Sequence, residues 1–347
     1  MHKMVDLGYA YANARVKALK AKLFDKDRMR EIMDVGSLTE VIEMLEESPY
    51  KESFVKASTK HSGMELVKRA LDEDLKIAFR KVWRLSPPSA RPLLSLLLKQ
   101  WEVNNVKKAV AARALGKKIL ATDFLLVQGE RAALLEKISS QETMEGVIAV
   151  LQGCEYGAAF RRALQEYRRA GDFRILLSSL DEHYFAMISK AISSPALDAR
   201  TRAFLRKKLE YAAAIAVLRM CHSGVAPAEI RKFLLRAAHG ETTLLRGLVE
   251  ASSLPAAVDL LADESRVDRK AMREKGARND LPGVEMELEK ALLLFARKTL
   301  SSSVLSLGAL VGYLFLKQEE VHSLRKIAYA TQFDVRAEIR QTVLAAV

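Results

Sequence analysis

In three stretches of this chain the apolar positions follow one helical rhythm. Val103, Val106 and Val110 in KQWEVNNVKKAV (99–110), Tyr211, Ala214 and Leu218 in KKLEYAAAIAVL (207–218), and Val321, Leu324 and Ala328 in KQEEVHSLRKIA (317–328) all stand at i, i+3 and i+7. That spacing lines one face of an α-helix. The stretches align on Glu102, Glu210 and Glu320, separated by 108 and 110 residues, and Lys99, Lys207 and Lys317 precede those glutamates by three each time. Residues three apart meet on a helix surface, so each pair is expected on the outer, solvated face, where it contributes about 0.2–0.5 kcal/mol.

A second element repeats at a matching interval. VIEML (41–45), VIAVL (147–151) and AVDLL (257–261) recur at steps of 106 and 110 residues. Ser37 and Glu40 have capping-box spacing and open the helix that holds VIEML. Ser86-Pro87 and Ser194-Pro195, again 108 apart, have the form of a serine cap with proline in the first turn. They predict the start of a long helix just upstream of the first two motifs. Runs of alternating Val, Ile and aromatics are missing, and the helix formers Ala, Leu, Glu, Lys and Arg dominate, so the fold class expected is all-α. The repeat divides the chain into three similar helical domains, 1–117, 118–225 and 226–347. Three such units joined head to tail close into a pseudo-threefold funnel or collar if each turns about a third of a revolution from the last. The charged stretch DESRVDRKAMREKGARND (263–280) reads as a solvated linker or a partner-contact loop, ending at the turn signal Leu281-Pro282-Gly283.

Composition narrows the setting. The 347 residues are 50% apolar and 29% charged, as in a folded protein, and the net charge of +13 asks for an anionic partner: nucleic acid, a membrane surface or an acidic protein face. The two cysteines, Cys154 and Cys221, have no close partners, and the N-terminal stretch lacks the pattern of a signal peptide. An intracellular protein is expected. The run TLSSSVLSLGALVGYLFL (299–316) has 18 uncharged residues with Gly308 and Gly312 in G-x-x-x-G spacing, near the lower limit for a membrane span. The equivalent positions of the other copies carry Arg91, Arg200 and Arg202, so a core helix is expected instead.

The sequence carries few signs of chemistry. There is no phosphate-binding glycine loop, no H-E-x-x-H and no G-x-S-x-G, and the six histidines are scattered. No catalytic residue, cofactor or metal is expected. Trp101 is expected in the core or on its rim. Basic pairs such as Arg161-Arg162 and Arg168-Arg169 keep a basic scaffold for nucleic acid as the alternative function, although no nucleic-acid motif accompanies them.

A family resemblance goes further. YAYANARVKALKAKL (9–23), followed by SLTEVIEMLEESPY, resembles the N-terminus of the C subunit of archaeal and bacterial V/A-type ATPases, a relative of the d subunit of the vacuolar ATPase. WEVNNVK (101–107) resembles that family's first Trp-acid-Val/Ile-x-Asn-Ile/Val-Lys element, and KQEEVHSLR (317–325) its third, usually K-E-x-E-V-x-N-L-R. Gln318 and Ser323 depart from the third pattern, and Ala213 stands where the first copy has Asn105. The resemblance spans essentially the whole chain. It implies a non-catalytic rotor subunit, one copy per complex, shaped as a funnel of three helical domains and without a transmembrane segment of its own. One face would receive the central-stalk subunits and the other the membrane rotor ring, on the cytoplasmic inner face of the membrane, so that torque couples ATP to proton or sodium transport. Matched residue by residue, it points to Tyr11, Asn13, Arg15, Trp101, Glu102, Asn105, Lys107, Glu319, Glu320 and Arg325 as contacts with partners or between domains.

Overall fold

The computed structural model describes residues 7–120, 124, 130–194, 197–236, 242–263 and 267–335. These form 17 α-helices, one short 3-10 turn and no strand, so the described residues are all-α as expected. The three lysine–glutamate motifs lie in α6 (Arg91–Ala114), α11 (Ala199–His222) and α17 (Gly308–Gln332), helices of 24, 24 and 25 residues. Their ends are built alike. Gly116, Gly224 and Asp334 have φ of 65°, 74° and 55°. The N–H of the following residue then reaches back to the carbonyl of Ala112, Met220 or Ala330 at 2.8, 3.0 and 2.9 Å. That is a Schellman closure, whose left-handed position suits glycine and is tolerated by aspartate. The three caps stand 108 and 110 residues apart, the interval of the motifs themselves.

The second repeated element is equally regular. VIEML, VIAVL and AVDLL lie in α3 (Leu38–Glu46), α8 (Met144–Gln152) and α14 (Leu254–Ala262), each of nine residues. A hydroxyl opens each one: Ser37, Thr143 and Ser253 accept the N–H of Glu40, Gly146 and Ala256. At Ser37 a variant of the capping box closes, with Glu40 accepting the serine hydroxyl at 3.1 Å and, in place of the cap residue's own N–H, that of Gly36 at 2.9 Å.

Three local expectations are overturned. Ser86 and Ser194 close helices and do not open them. Ser86 ends α5 (Gly63–Leu85), its hydroxyl donating to Val82 O, and Ser194 follows α10 (Arg174–Ile192), its N–H donating to Ala191 O. A residue before proline is pushed out of the helical region, and that steric rule wins over the cap preference. Pro195 lies outside the described residues. A 3-10 turn at Pro88–Ala90 leads into α6, while Asp198 caps α11 by accepting the N–H of Thr201 at 3.0 Å. Within 263–280, the supposed linker, Arg269–Ala277 is helix α15, capped by Asp268 and buried through Met272 and Gly276. Leu281-Pro282-Gly283 is the first turn of α16 (Leu281–Ser302), capped by Asp280, where proline needs no N–H partner.

By packing, the described residues fall into two compact units, one drawn from Met1–Arg91, Pro195–Tyr211 and Ala251–Val347, the other from Pro92–Ser194 and Ala212–Glu250. In the first, α17 is the hub, packing on α16, α5, α3, α1 (Leu7–Lys20) and α2 (Lys26–Asp34), so the first and last described helices share one core. Every residue from Gly308 to Lys317 is buried, as in a helix that is apolar all round. From Gly308 onward the uncharged run is therefore core; before that it breaks into two helices between Ser302 and Gly308, with Val304 and Leu305 exposed in the turn, and no described helix is long and apolar enough to cross a membrane. Gly312 lets α16 and α17 approach, since a Cβ there would sit 3.0 Å from the Ala296 carbonyl. In the second unit α8 packs on α7 (Glu130–Ser139) and α9 (Gly157–Ala170), and α10 packs on α9 and α12 (Pro227–Arg236).

Candidate functional site

The motif side chains of the first and third copies do not lie on an outer face. Glu102 is 3% exposed, Glu320 is 6% exposed, and Lys99 and Lys317 are buried with them. Burying such ions costs free energy unless each is paired and hydrogen-bonded, so the surroundings must supply partners. They do so twice, with the same chemistry.

In the third copy Lys317 Nζ lies 2.8 Å from the Asp74 carboxylate on α5, 3.0 Å from Glu320, and 3.9 Å from the centre of the Tyr50 ring. The Tyr50 hydroxyl donates to Glu320 Oε1 at 2.5 Å, and the backbone N–H of Phe24 donates to Oε2 at 2.5 Å. Tyr50 is the N-cap residue of α4 (Lys51–Ser58), and its ring packs on Phe24. One glutamate of the last helix thus ties down the turn after α1 and the start of α4. Burial, and then the nearby carboxylates of Glu320 and Asp74, hold the Tyr50 phenol well above its ordinary pKa. It remains a neutral donor. One turn further along α17, Arg325 pairs with Asp72 on the same helix α5.

In the first copy Lys99 donates to Glu102 at 2.8 Å and also pairs with Glu155, while its Nζ lies 5.6 Å from the Tyr156 ring centre. The Tyr156 hydroxyl donates to Glu102 Oε1 at 2.6 Å. Tyr156 is the N-cap residue of α9, the counterpart of Tyr50, and burial together with Glu102 raises its pKa as well. In the second copy Lys207 pairs with Glu210 at 2.5 Å, with side chains 19% and 21% exposed, and sits 5.3 Å from the ring of its own neighbour Tyr211. By register Arg266 stands where the other copies have Tyr50 and Tyr156, and it lies outside the described residues.

The other residues singled out from the sequence are not gathered around these pairs. Tyr11 and Arg15, four apart on α1, are exposed, whereas Asn13 is buried and neither of its amide atoms has a hydrogen-bond partner among the described residues. Trp101 and Asn105 are buried on α6, as the core reading of Trp101 expects. Lys107 pairs with Asp181 on α10 at 2.6 Å, yet burial outweighs that lysine and leaves the Asp181 carboxyl above its usual range. Glu319 lies 3.8 Å from His322, and its charge partly opposes the burial that lowers Lys208. Tyr11, Asn13, Arg15, Glu319, Glu320 and Arg325 belong to the first unit; Trp101, Glu102, Asn105 and Lys107 belong to the second.

Sequence reasoning missed the partners: Tyr50, Asp72, Asp74, Tyr156, Glu155 and Asp181. One signal was there to find. Tyr50 and Phe54 recur as Tyr156 and Phe160, 106 residues on, the same step that separates VIEML from VIAVL. The arrangement is interlocking, since a glutamate of one sequence copy is held by a tyrosine of another. Among the described residues no group of three His, Cys, Asp or Glu side chains is placed to hold a metal ion. Both Glu320 oxygens are occupied by protein donors. Such a site fastens segments of chain together.

Residues 12–342 match the family model described as ATP synthase (C/AC39) subunit. The chain is 24% identical over 331 residues to the A-type ATP synthase C subunit of Methanocaldococcus jannaschii, covering 93% of this chain and 83% of that one. The corresponding protein of Pyrococcus abyssi is 24% identical, with 95% and 88% covered, and that of Thermococcus onnurineus 25%, with 92% and 85% covered.

Proposed function

Since the chain belongs to the ATP synthase (C/AC39) subunit family, whose members are structural and not catalytic subunits of the complex, we propose that it is the rotor element between stalk and membrane. In this reading it joins the central stalk of a V/A-type ATPase to the membrane ring of ion-carrying subunits. It passes torque between them for ATP-linked proton or sodium transport, one copy per complex, on the inner face of the membrane. The three sequence copies serve as three similar helical domains of a collar.

One observation carries the proposal: the buried lysine–glutamate–tyrosine lock, built twice from residues far apart in sequence. A part that transmits torque must not yield, and close-packed helices with low compressibility resist deformation. The locks add directional bonds between segments that would otherwise shear past one another. Glu102, Asn105 and Glu320 act inside the protein in this reading. Exposed Tyr11 and Arg15 are the candidates for partner contact.

The test is recovery of the tagged chain from gently solubilised source membranes, with nuclease present and bound proteins identified by mass spectrometry. Stalk subunits and the small ring protein are expected together. Recovery of nucleic-acid machinery that nuclease removes, with no ATPase subunits, overturns the proposal.

A further inference from the structure

Between α16 and α17 the first unit carries a surface feature that the rotor reading leaves unexplained. The chain turns over Ser303–Leu307, with Ser303 and Leu307 buried and Val304 70% exposed between them. Leu305 beside it is exposed at φ 56°, a left-handed conformation that favours Gly or Asn and in which leucine is strained. An apolar residue held out to solvent against its backbone preference calls for a reason at the surface. Further back on α16, Leu294 is also exposed.

Cations surround this tip. Lys17 donates to Ser301 O at 3.3 Å, Lys20 reaches Ser301 Oγ at 3.5 Å, and Arg200 donates to Ser302 O. Lys298 is exposed on the same stripe of α16 as Leu294. Lys20 and Arg297 also line a cavity of roughly 290 Å³ with an apolar wall of Leu23, Leu293 and Leu316. Two carboxylates also line that cavity: Glu320, which pairs with Lys317, and Asp25, which caps α2 by accepting the N–H of Arg28, while Asp198, close in sequence to Arg200, accepts both the N–H and the hydroxyl of Thr201. Capping the carbonyl end of α16 accounts for Lys17 and Arg200. It accounts for neither Lys298 nor the exposed apolar tip.

We propose that the Val304–Leu305 tip and its surrounding lysines and arginines form a docking surface for an anionic lipid bilayer. Basic side chains would meet acidic headgroups while the tip enters the boundary between headgroups and acyl chains. A projecting apolar tip flanked by cations is complementary to such a layer, which is fluid and negatively charged. This goes beyond the rotor reading and does not require it.

The experiment is flotation of the full chain with vesicles of phosphatidylcholine alone or mixed with phosphatidylglycerol. Binding to the mixed vesicles, falling with salt, is expected, and binding to neutral ones is not. Leu305→Asn with Val304→Asp is expected to cut the affinity at least tenfold while leaving the thermal melt unchanged or raised, because Asn suits the left-handed position in which leucine is strained. Lys20→Gln with Lys298→Gln, which spares Lys17 and Arg200, is expected to lose about fivefold for each lysine removed. Three results each overturn the proposal: no binding to mixed vesicles, equal binding to neutral ones, or full binding by the tip variant. A tip variant that loses an acidic protein partner while the parent ignores vesicles overturns it in favour of a protein contact. Recovery of ATPase subunits is scored separately, so either idea can fail alone.

Discussion

Replacing Lys317 with Met keeps most of the length of the side chain and removes the ammonium with its charge and its hydrogen bonds. The consequence follows from its surroundings: Glu320 at 3.0 Å, buried, and Asp74 at 2.8 Å, its side chain 15% exposed, then face one another without the lysine that pairs with both. Removing one partner of a buried pair costs about 3–5 kcal/mol, because the remaining charge stays desolvated. The repeat supplies its own controls. Lys99→Met leaves Glu102 buried but also frees Glu155, whose side chain is 46% exposed and solvated, so a smaller loss of about 2–4 kcal/mol is expected. At Lys207→Met the pair is more open, and the cost falls to about 0.2–1 kcal/mol. Urea unfolding followed by circular dichroism at 222 nm reads this order directly. If the two units melt in separate transitions, Lys317→Met moves one and Lys99→Met the other, because those lysines sit in different units. Equal losses at all three lysines, or a Lys317→Met protein as stable as the parent, would refute the reasoning, since motif identity and not burial would then govern the cost.

Two further outcomes are expected. At the Lys107–Asp181 pair, burial raises the folded-state pKa of Asp181, so its stabilising contribution is greatest below the ordinary carboxylate range and is lost as pH rises through the shifted value. Asp181→Asn should therefore match or exceed the parent in stability at pH 7, with the advantage shrinking towards pH 4. Lys107→Ala should lose about 1 kcal/mol or somewhat more at pH 7 and recover on acidification. Melting curves across that range decide it, and an Asp181→Asn protein weaker than Lys107→Ala at neutral pH is the contrary result. Removing the repeated hydroxyl caps, as Ser37→Ala, Thr143→Ala and Ser253→Ala, should cost about 1 kcal/mol each. A triple variant with no loss in thermal melting would show that these caps contribute nothing.

The helical character and the placement of the repeats were legible because both rest on local rules. The i, i+3, i+7 faces became three long helices, and Ser37 with Glu40 closed a variant of the box its spacing implies. Gly116 and Gly224, each one residue before an expected domain boundary, proved to be left-handed caps, and Asp334 takes the same conformation without glycine to announce it. The site was harder, because burial is a property of what packs on a helix and not of the helix itself. Lys317 and Glu320 look like an exposed pair until Tyr50, Asp74 and the Phe24 N–H arrive from the other end of the chain. Ser86 misled for a different reason: two local rules compete before a proline, and the steric one is stronger. Packing also groups the residues by lock and hub, taking Glu320 with Tyr50, so sequence copy and compact unit are different divisions of the same chain.

The most direct measurement concerns coupling. Membranes carrying the ATPase are depleted of this chain, and ATP hydrolysis and ion uptake are measured before and after purified protein is added back. The account predicts that hydrolysis persists on depletion while ATP-driven ion uptake is lost, and that the parent protein restores uptake where the Lys317→Met variant does so poorly. Ion uptake that survives complete removal of the chain would contradict a rotor role outright.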